Sequence, residues 1–105
     1  LIPAAATASP VNRLELVATL AESAGMRYTP AGIAALDVLL EHASTQVEAG
    51  QPRHVALRLK AVAFGDDAER LARQALGSTL WCAGFLTSAR RGNGVVFHIQ
   101  AFKPI

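Results

Sequence analysis

The chain is short of almost everything that catalysis or metal binding would need. It has one cysteine, Cys82, among 105 residues. No disulfide framework exists, which fits a reducing compartment such as the cytoplasm. Leu80, Gly84 and Leu86 around it mark a buried strand position, where a thiol packs rather than reacts. The three histidines, His42, His54 and His98, stand far apart, with neither an i, i+4 partner nor a CxxC companion. Ligand spacing is therefore absent, and no metal or other cofactor is expected. Asp66-Asp67-Glu69 is the one carboxylate cluster, and a helix start explains it as capping and dipole complement. No set of nucleophile, base and orienting group is visible, so no enzyme is expected. Gly92 and Gly94 flank Asn93, but a two-glycine turn is not a phosphate-binding loop. No apolar run approaches the length of a membrane span. Leu1–Pro10 has neither the basic flank nor the apolar core of a signal peptide, and reads as a disordered, alanine-rich tail.

Acidic residues are also missing from one part of the chain. Every carboxylate side chain lies at or before Glu69, whereas Arg70, Arg73, Arg90, Arg91 and Lys103 follow. A second acid-free stretch holds Arg53, His54, Arg58 and Lys60. The net charge is only +2, so the balance says little and the clustering says more. Clustered cations suit a polyanion.

What is present is strand pattern. From Asn12 to Ala21, Leu14, Leu16, Ala18 and Leu20 alternate onto one face, the period of a half-buried strand. Ser23-Ala24-Gly25 breaks it, and Met26 to Tyr28 can continue it as a bent extension. Thr29-Pro30-Ala31-Gly32 is turn chemistry. A second strand follows from Ile33 to Ser44, with Leu36, Val38 and Leu40 inward. Thr45 to Pro52 reads as a loop. A third strand, Arg53 to Phe64, places Val55, Leu57, Leu59 and Ala61 on one face and His54, Ala56, Arg58 and Lys60 on the other. Asp66 and Glu69 then form a capping box for a helix of about three turns. Its stripe is Leu71, Ala72, Ala75 and Leu76, and Gly77 is its C′ residue. A fourth strand covers Thr79 to Thr87. Ala89 to Gly94 is a hairpin loop turning on Asn93-Gly94. A fifth strand, Val95 to Phe102, carries Val95, Phe97, Ile99 and Ala101 inward.

Three strands, a short helix and a two-stranded hairpin is the order of an OB-fold. The expected class is all-β: a five-stranded Greek-key barrel with one short helix between strands three and four. Residues 12–105 form this single domain, and residues 1–11 are its tail. A generic small α+β domain gives the same string of elements, so pattern alone leaves both open.

Particular residues go further than pattern. Asn12-Arg13-Leu14, Thr29-Pro30-Ala31-Gly32, Gly84-Phe85-Leu86 and Val96-Phe97-His98 open or close strands. Leu40-Glu41-His42-Ala43-Ser44 runs on to Glu48-Ala49-Gly50. In these pieces the chain resembles the bacterial primosomal replication protein N family, often called PriB, from about Asn12 to Ile105. The resemblance implies an OB-fold homodimer that binds single-stranded DNA. It implies a place in the replication-restart primosome, bridging a primosomal helicase (PriA) and DNA. It also implies that Arg27, Arg53 and Arg90 belong to the DNA-binding surface. An adaptor that keeps the helicase contact but scarcely binds DNA is the alternative.

OB-folds hold single strands with a basic groove and with rings that stack on bases. The expected basic set is Arg27, Arg53, His54, Arg58, Lys60, Arg90 and Arg91, with Tyr28 as the exposed ring. The family's tight binders carry aromatics at the positions of Gln51 and Ala56, where this chain has none, and Ala43 replaces a residue that is often basic. Binding is therefore expected to be mainly electrostatic. Val17, Leu39 and Trp81 are apolar outward residues that suit a dimer. Trp81 and Phe85 are expected in a subunit interface or under a loop.

Overall fold

The computed structural model describes residues 9–105 and is built almost wholly of strands. They are β1 (Leu14–Ser23), β2 (Arg27–Tyr28), β3 (Ala34–Glu48), β4 (Gln51–Phe64), β5 (Thr79–Ser88) and β6 (Val95–Pro104). One helix, α1 (Asp66–Ala72), joins β4 to β5. Of the expected tail, residues 1–8 lie outside the described residues, and Ser9, Pro10 and Val11 are exposed.

Closure depends on β1. Its first half pairs with β5, from Leu14 opposite Gly84 to Thr19 opposite Thr79. Its second half pairs with β3, from Thr19 opposite Glu41 to Ser23 opposite Val38, across a bulge between Leu20 and Glu22. A bulge increases local twist, which lets one strand serve two neighbours. β3 pairs with β4 and β5 with β6, both antiparallel. A short parallel contact at Ala61–Phe97 and Val62–His98 joins β4 to β6. The five long strands thus close into the expected OB-fold barrel. The two-residue β2 is the bent extension, added to the edge of β3.

Alternation fills the barrel. Ala18, Leu20, Leu36, Val38, Leu40, Leu80, Cys82, Phe97 and Ile99 are buried, and Leu14, Leu16, Leu59 and Leu86 pack against them. α1 closes one end with Ala68 and Leu71, both fully buried. The side-chain amide of Asn12 acts as an extra strand residue. Its Nδ2 donates to the Leu86 carbonyl at 2.7 Å, and the Leu86 N–H donates to its Oδ1 at 2.9 Å.

Several expectations are corrected. Thr45 to Pro52 is not a loop: β3 and β4 stay paired out to Glu48 and Gln51, so the hairpin turns on Ala49 and Gly50 alone. Both have positive φ, 52° and 76°, the mirror-type turn whose twist matches a hairpin. Polar residues along this stretch looked like loop because the arm projects beyond the barrel and is solvated on both sides. The helix is two turns rather than three, and buries only Ala68 and Leu71 of its own residues. Ala75 and Leu76 fall outside it and are exposed. Its cap is Gly65, with no side-chain capping bond, so the Asp66–Glu69 capping box does not form. Gly77 is not the C′ residue: Arg73 ends the helix, and the Gly77 N–H donates to the Leu20 carbonyl at 2.8 Å. In the loop after β5 the left-handed residue is Gly92, not Asn93 or Gly94. On β6 the inward stripe runs Phe97, Ile99, Phe102: Val95, at the start of the strand, is exposed, and Ala101 is not part of the stripe. Gln100 is the cause: Ile99 and Ala101 oppose the adjacent residues Gly84 and Ala83, so the side-chain alternation slips by one.

Candidate nucleic-acid interface

Strand register gathers a continuous outer face. Thr45 lies beside His54, Ala43 beside Ala56, Glu41 beside Arg58, Leu39 beside Lys60 and Asp37 beside Val62. Directly opposed residues point to the same side of a sheet. The row continues from Val62 to His98 on β6, and from His98 to Phe85 on β5. Arg27 and Phe64 join the same side through Ala35, which both oppose. A shallow groove runs among Leu39, Lys60 and Val96.

At one end of this face stands an aromatic stack. The His98 ring lies 4.7 Å from the Phe85 ring at 17° and 5.7 Å from the Phe64 ring at 26°. Phe64 remains 40% exposed, enough to meet a flat ligand. Sequence reasoning missed this feature. The available signal was parity, since Phe64 shares the even alternation of Arg58 and Lys60 on β4. The pairing of His98 with both phenylalanines depends on β6 lying between β4 and β5, which alternation does not reveal. Phe85 and Trp81 do point outward together, but Phe85 stacks on His98. Trp81 lies between Val17 on β1 and Lys103 on β6, with the Lys103 ammonium 5.3 Å from its ring.

The expected site residues divide. Arg27, His54, Arg58 and Lys60 come to the outer face. Tyr28 and Arg53 each follow or precede a face residue by one position and so turn to the opposite side of their strands. Tyr28 is exposed there, and Arg53 pairs with Glu48 at 3.0 Å. Arg90 and Arg91 are exposed in the loop between β5 and β6. His54 Nδ1 is 3.3 Å from the Thr45 hydroxyl.

The acid-free stretch of sequence is not acid-free in space. Arg58 Nε is 3.2 Å from Glu41, and its Nη2 is 3.4 Å from Glu22. Arg27 forks onto Asp37, with Nε and Nη2 donating at 2.7 and 3.2 Å. The hydrogen bond and charge of Asp37 raise the Arg27 guanidinium above its ordinary value. Lys60, Arg90 and Arg91 have no ion-pair partner among the described residues.

His42 and Ser44 are structural. The His42 Nδ1 lies 2.6 Å from the Val17 carbonyl, where β1 has already turned from β3 to β5. A carbonyl only accepts, so Nδ1 carries a proton, while Nε2 lies 2.7 Å from the Ser44 hydroxyl. Gln46 Nε2 donates in turn to Ser44 Oγ at 3.0 Å. Among the described residues no three of His, Cys, Asp and Glu gather as a metal site.

Known proteins share this architecture. A family model described as "another single-strand binding protein family" matches residues 12–101. The replication restart protein PriB of Bordetella pertussis is 47% identical over 96 residues, 90% of each chain. The solved structure of PriB from Ralstonia solanacearum is 42% identical, with a TM-score of 0.83, over 90% of this chain and 98% of that one. The single-stranded DNA binding protein of Thermus aquaticus is 26% identical, with a TM-score of 0.72, over 90% of this chain and 50% of that one. Barrel, register and sequence together place the chain in the PriB family of replication restart proteins.

Proposed function

We propose that the protein binds single-stranded DNA across the outer face, as an accessory of the replication-restart primosome. Bases stack at Phe64, while Lys60, Arg90 and Arg91 take phosphates. The carrying observation is the juxtaposition of an exposed ring, backed by His98 and Phe85, with Lys60 on the same face of the barrel, a cation without an ion-pair partner among the described residues. Family membership and the likeness to a single-stranded DNA binding protein support the same reading. One stacked base contributes roughly 1–3 kcal/mol. With no rings at Gln51 or Ala56, affinity depends mostly on phosphate contacts.

Titration of a labelled thymidine oligonucleotide in dilute buffer, with a duplex of equal length beside it, tests the reading. Single-strand preference and a loss of roughly five- to a hundredfold in Phe64→Ala are expected. Equal affinity for duplex, or an indifferent Phe64→Ala, overturns it.

The proposal includes a homodimer that bridges DNA to a primosomal helicase. Val17 and Trp81 are adjacent across β1 and β5, and Val17 is 43% exposed, as a subunit interface would use them. Leu39 lies instead in the groove of the outer face. Sedimentation equilibrium showing only the 11.0 kDa chain would remove the dimer.

The adaptor reading is favoured by one observation: Arg27 and Arg58 are already held by carboxylates. Helicase binding that persists while no oligonucleotide binds would select it.

A further inference from the structure

We infer that Glu22 and Glu41 set the affinity and the polarity of strand binding, by holding Arg58 away from phosphate. The inference rests on the single-strand reading above and concerns the same face.

The face carries three cations on its strands, Arg27, Arg58 and Lys60. It carries three carboxylates as well, Glu22, Asp37 and Glu41. On its strands it is formally neutral. Glu41 lies directly across from Arg58 on the neighbouring strand, and Glu22 reaches it from the bulged end of β1. The two carboxylates engage two different nitrogens of the guanidinium, 3.2 and 3.4 Å away. That fork is the group that would otherwise take a phosphate with two parallel bonds.

Side-chain exposures of 50–70% make these pairs easy to open. Opening them does not remove the carboxylates. A phosphate arriving at Arg58 meets Glu22 and Glu41 within hydrogen-bonding range of the same group, and like charges so close repel. Uncompensated positive charge is left at Lys60 and in the Arg90-Arg91 loop. The backbone of a bound strand therefore follows Lys60 and that loop. Its bases turn toward the neutral strands, where Leu39, Val96 and the Phe64 ring offer apolar contact. A duplex, which presents phosphate on all sides, cannot make this arrangement. The two glutamates are thus specificity-determining residues: they lower affinity for phosphate and admit bases.

The test compares Glu22→Gln/Glu41→Gln with Glu15→Gln/Glu69→Gln. Both pairs change net charge equally, and neither residue of the second pair contacts Arg58. Wild type and both variants are titrated with the same thymidine oligonucleotide and with duplex across a salt series, and circular dichroism verifies folding. The face pair should bind the oligonucleotide about five- to thirtyfold more tightly than wild type at low salt. It should gain more for duplex than for single strand, and its log K against log salt slope should steepen by about one phosphate contact. A gain no larger than that of the control pair overturns the inference, as does a face pair that stays indifferent to duplex. If neither wild type nor variants bind oligonucleotide, the single-strand reading itself falls. If wild type binds and the face pair equals the control, only the role of the glutamates falls.

Discussion

Gly84 on β5 presses its backbone against the carbonyl of His98 on β6, so closely that a Cβ there would collide with it. The contact sits at the bulge where Gly84 opposes Ile99 and Ala83 opposes Ala101. It links packing to the candidate site, because His98 carries the stack of Phe64 and Phe85. Gly84→Ala should therefore destabilise the protein by about 2 kcal/mol or more, since backbone rather than a flexible side chain must move. Denaturant unfolding measures it, and a variant within about 0.5 kcal/mol of wild type would show that the bulge has room.

Cys82 is fully buried in the barrel, and burial pushes its thiol from 9.0 up to about 11. A thiol reagent should leave the native protein unmodified at neutral pH and react once denaturant is added. The pH effect on stability has a definite sign. From the unfolded value near 9 up to about 11, the unfolded chain has lost a proton that the folded chain keeps, so stability falls as pH rises through that window. Rapid labelling of folded protein at pH 7 would contradict the burial.

Arg90 and Arg91 are exposed at the loop tip, without ion-pair partners among the described residues. Their joint replacement by alanine should leave the melting temperature unchanged and weaken oligonucleotide binding. The salt slope should become shallower by roughly two contacts. An unaltered slope would move the backbone path off this loop.

Ala56 lies beside Ala43 on the outer face, one alternation from Arg58. Ala56→Trp should supply a second stacking ring and tighten single-strand binding by roughly 1–3 kcal/mol, with little change in salt slope. Oligonucleotide should quench the new indole. No gain and no quenching would place the DNA elsewhere.

Most of the barrel is legible in alternation: Leu36, Val38 and Leu40 on β3 and Leu80 and Cys82 on β5 are buried at every second position, and Leu14, Leu16 and Leu59 pack half-buried against them. The candidate face is legible only within one strand. His54, Arg58 and Lys60 declare their common side by spacing. Glu41 and Glu22 enter that face through pairings 17 and 36 positions away in sequence, which no local period encodes. The arm from Thr45 to Pro52 failed for a related reason: neither of its sides faces a core, so its composition is that of a loop. Gln100 hides likewise, because an inserted residue changes register without changing composition. The Leu-Glu-His-x-Ser signature was legible as a family mark, but its role was not, since the Val17 carbonyl bound by His42 comes from another strand.

The split allegiance of β1 fixes an order of events during synthesis. Its C-terminal half finds β3 as soon as that strand is made, but its N-terminal half has no partner until Thr79 to Gly84 emerge. Asn12 waits still longer, for Leu86. A nascent chain halted before β5 holds Leu14 and Leu16 without their cover. Shielding of that first strand by a chaperone or the ribosome surface would matter most in this interval, and truncation near β5 should turn a foldable barrel into an aggregating one.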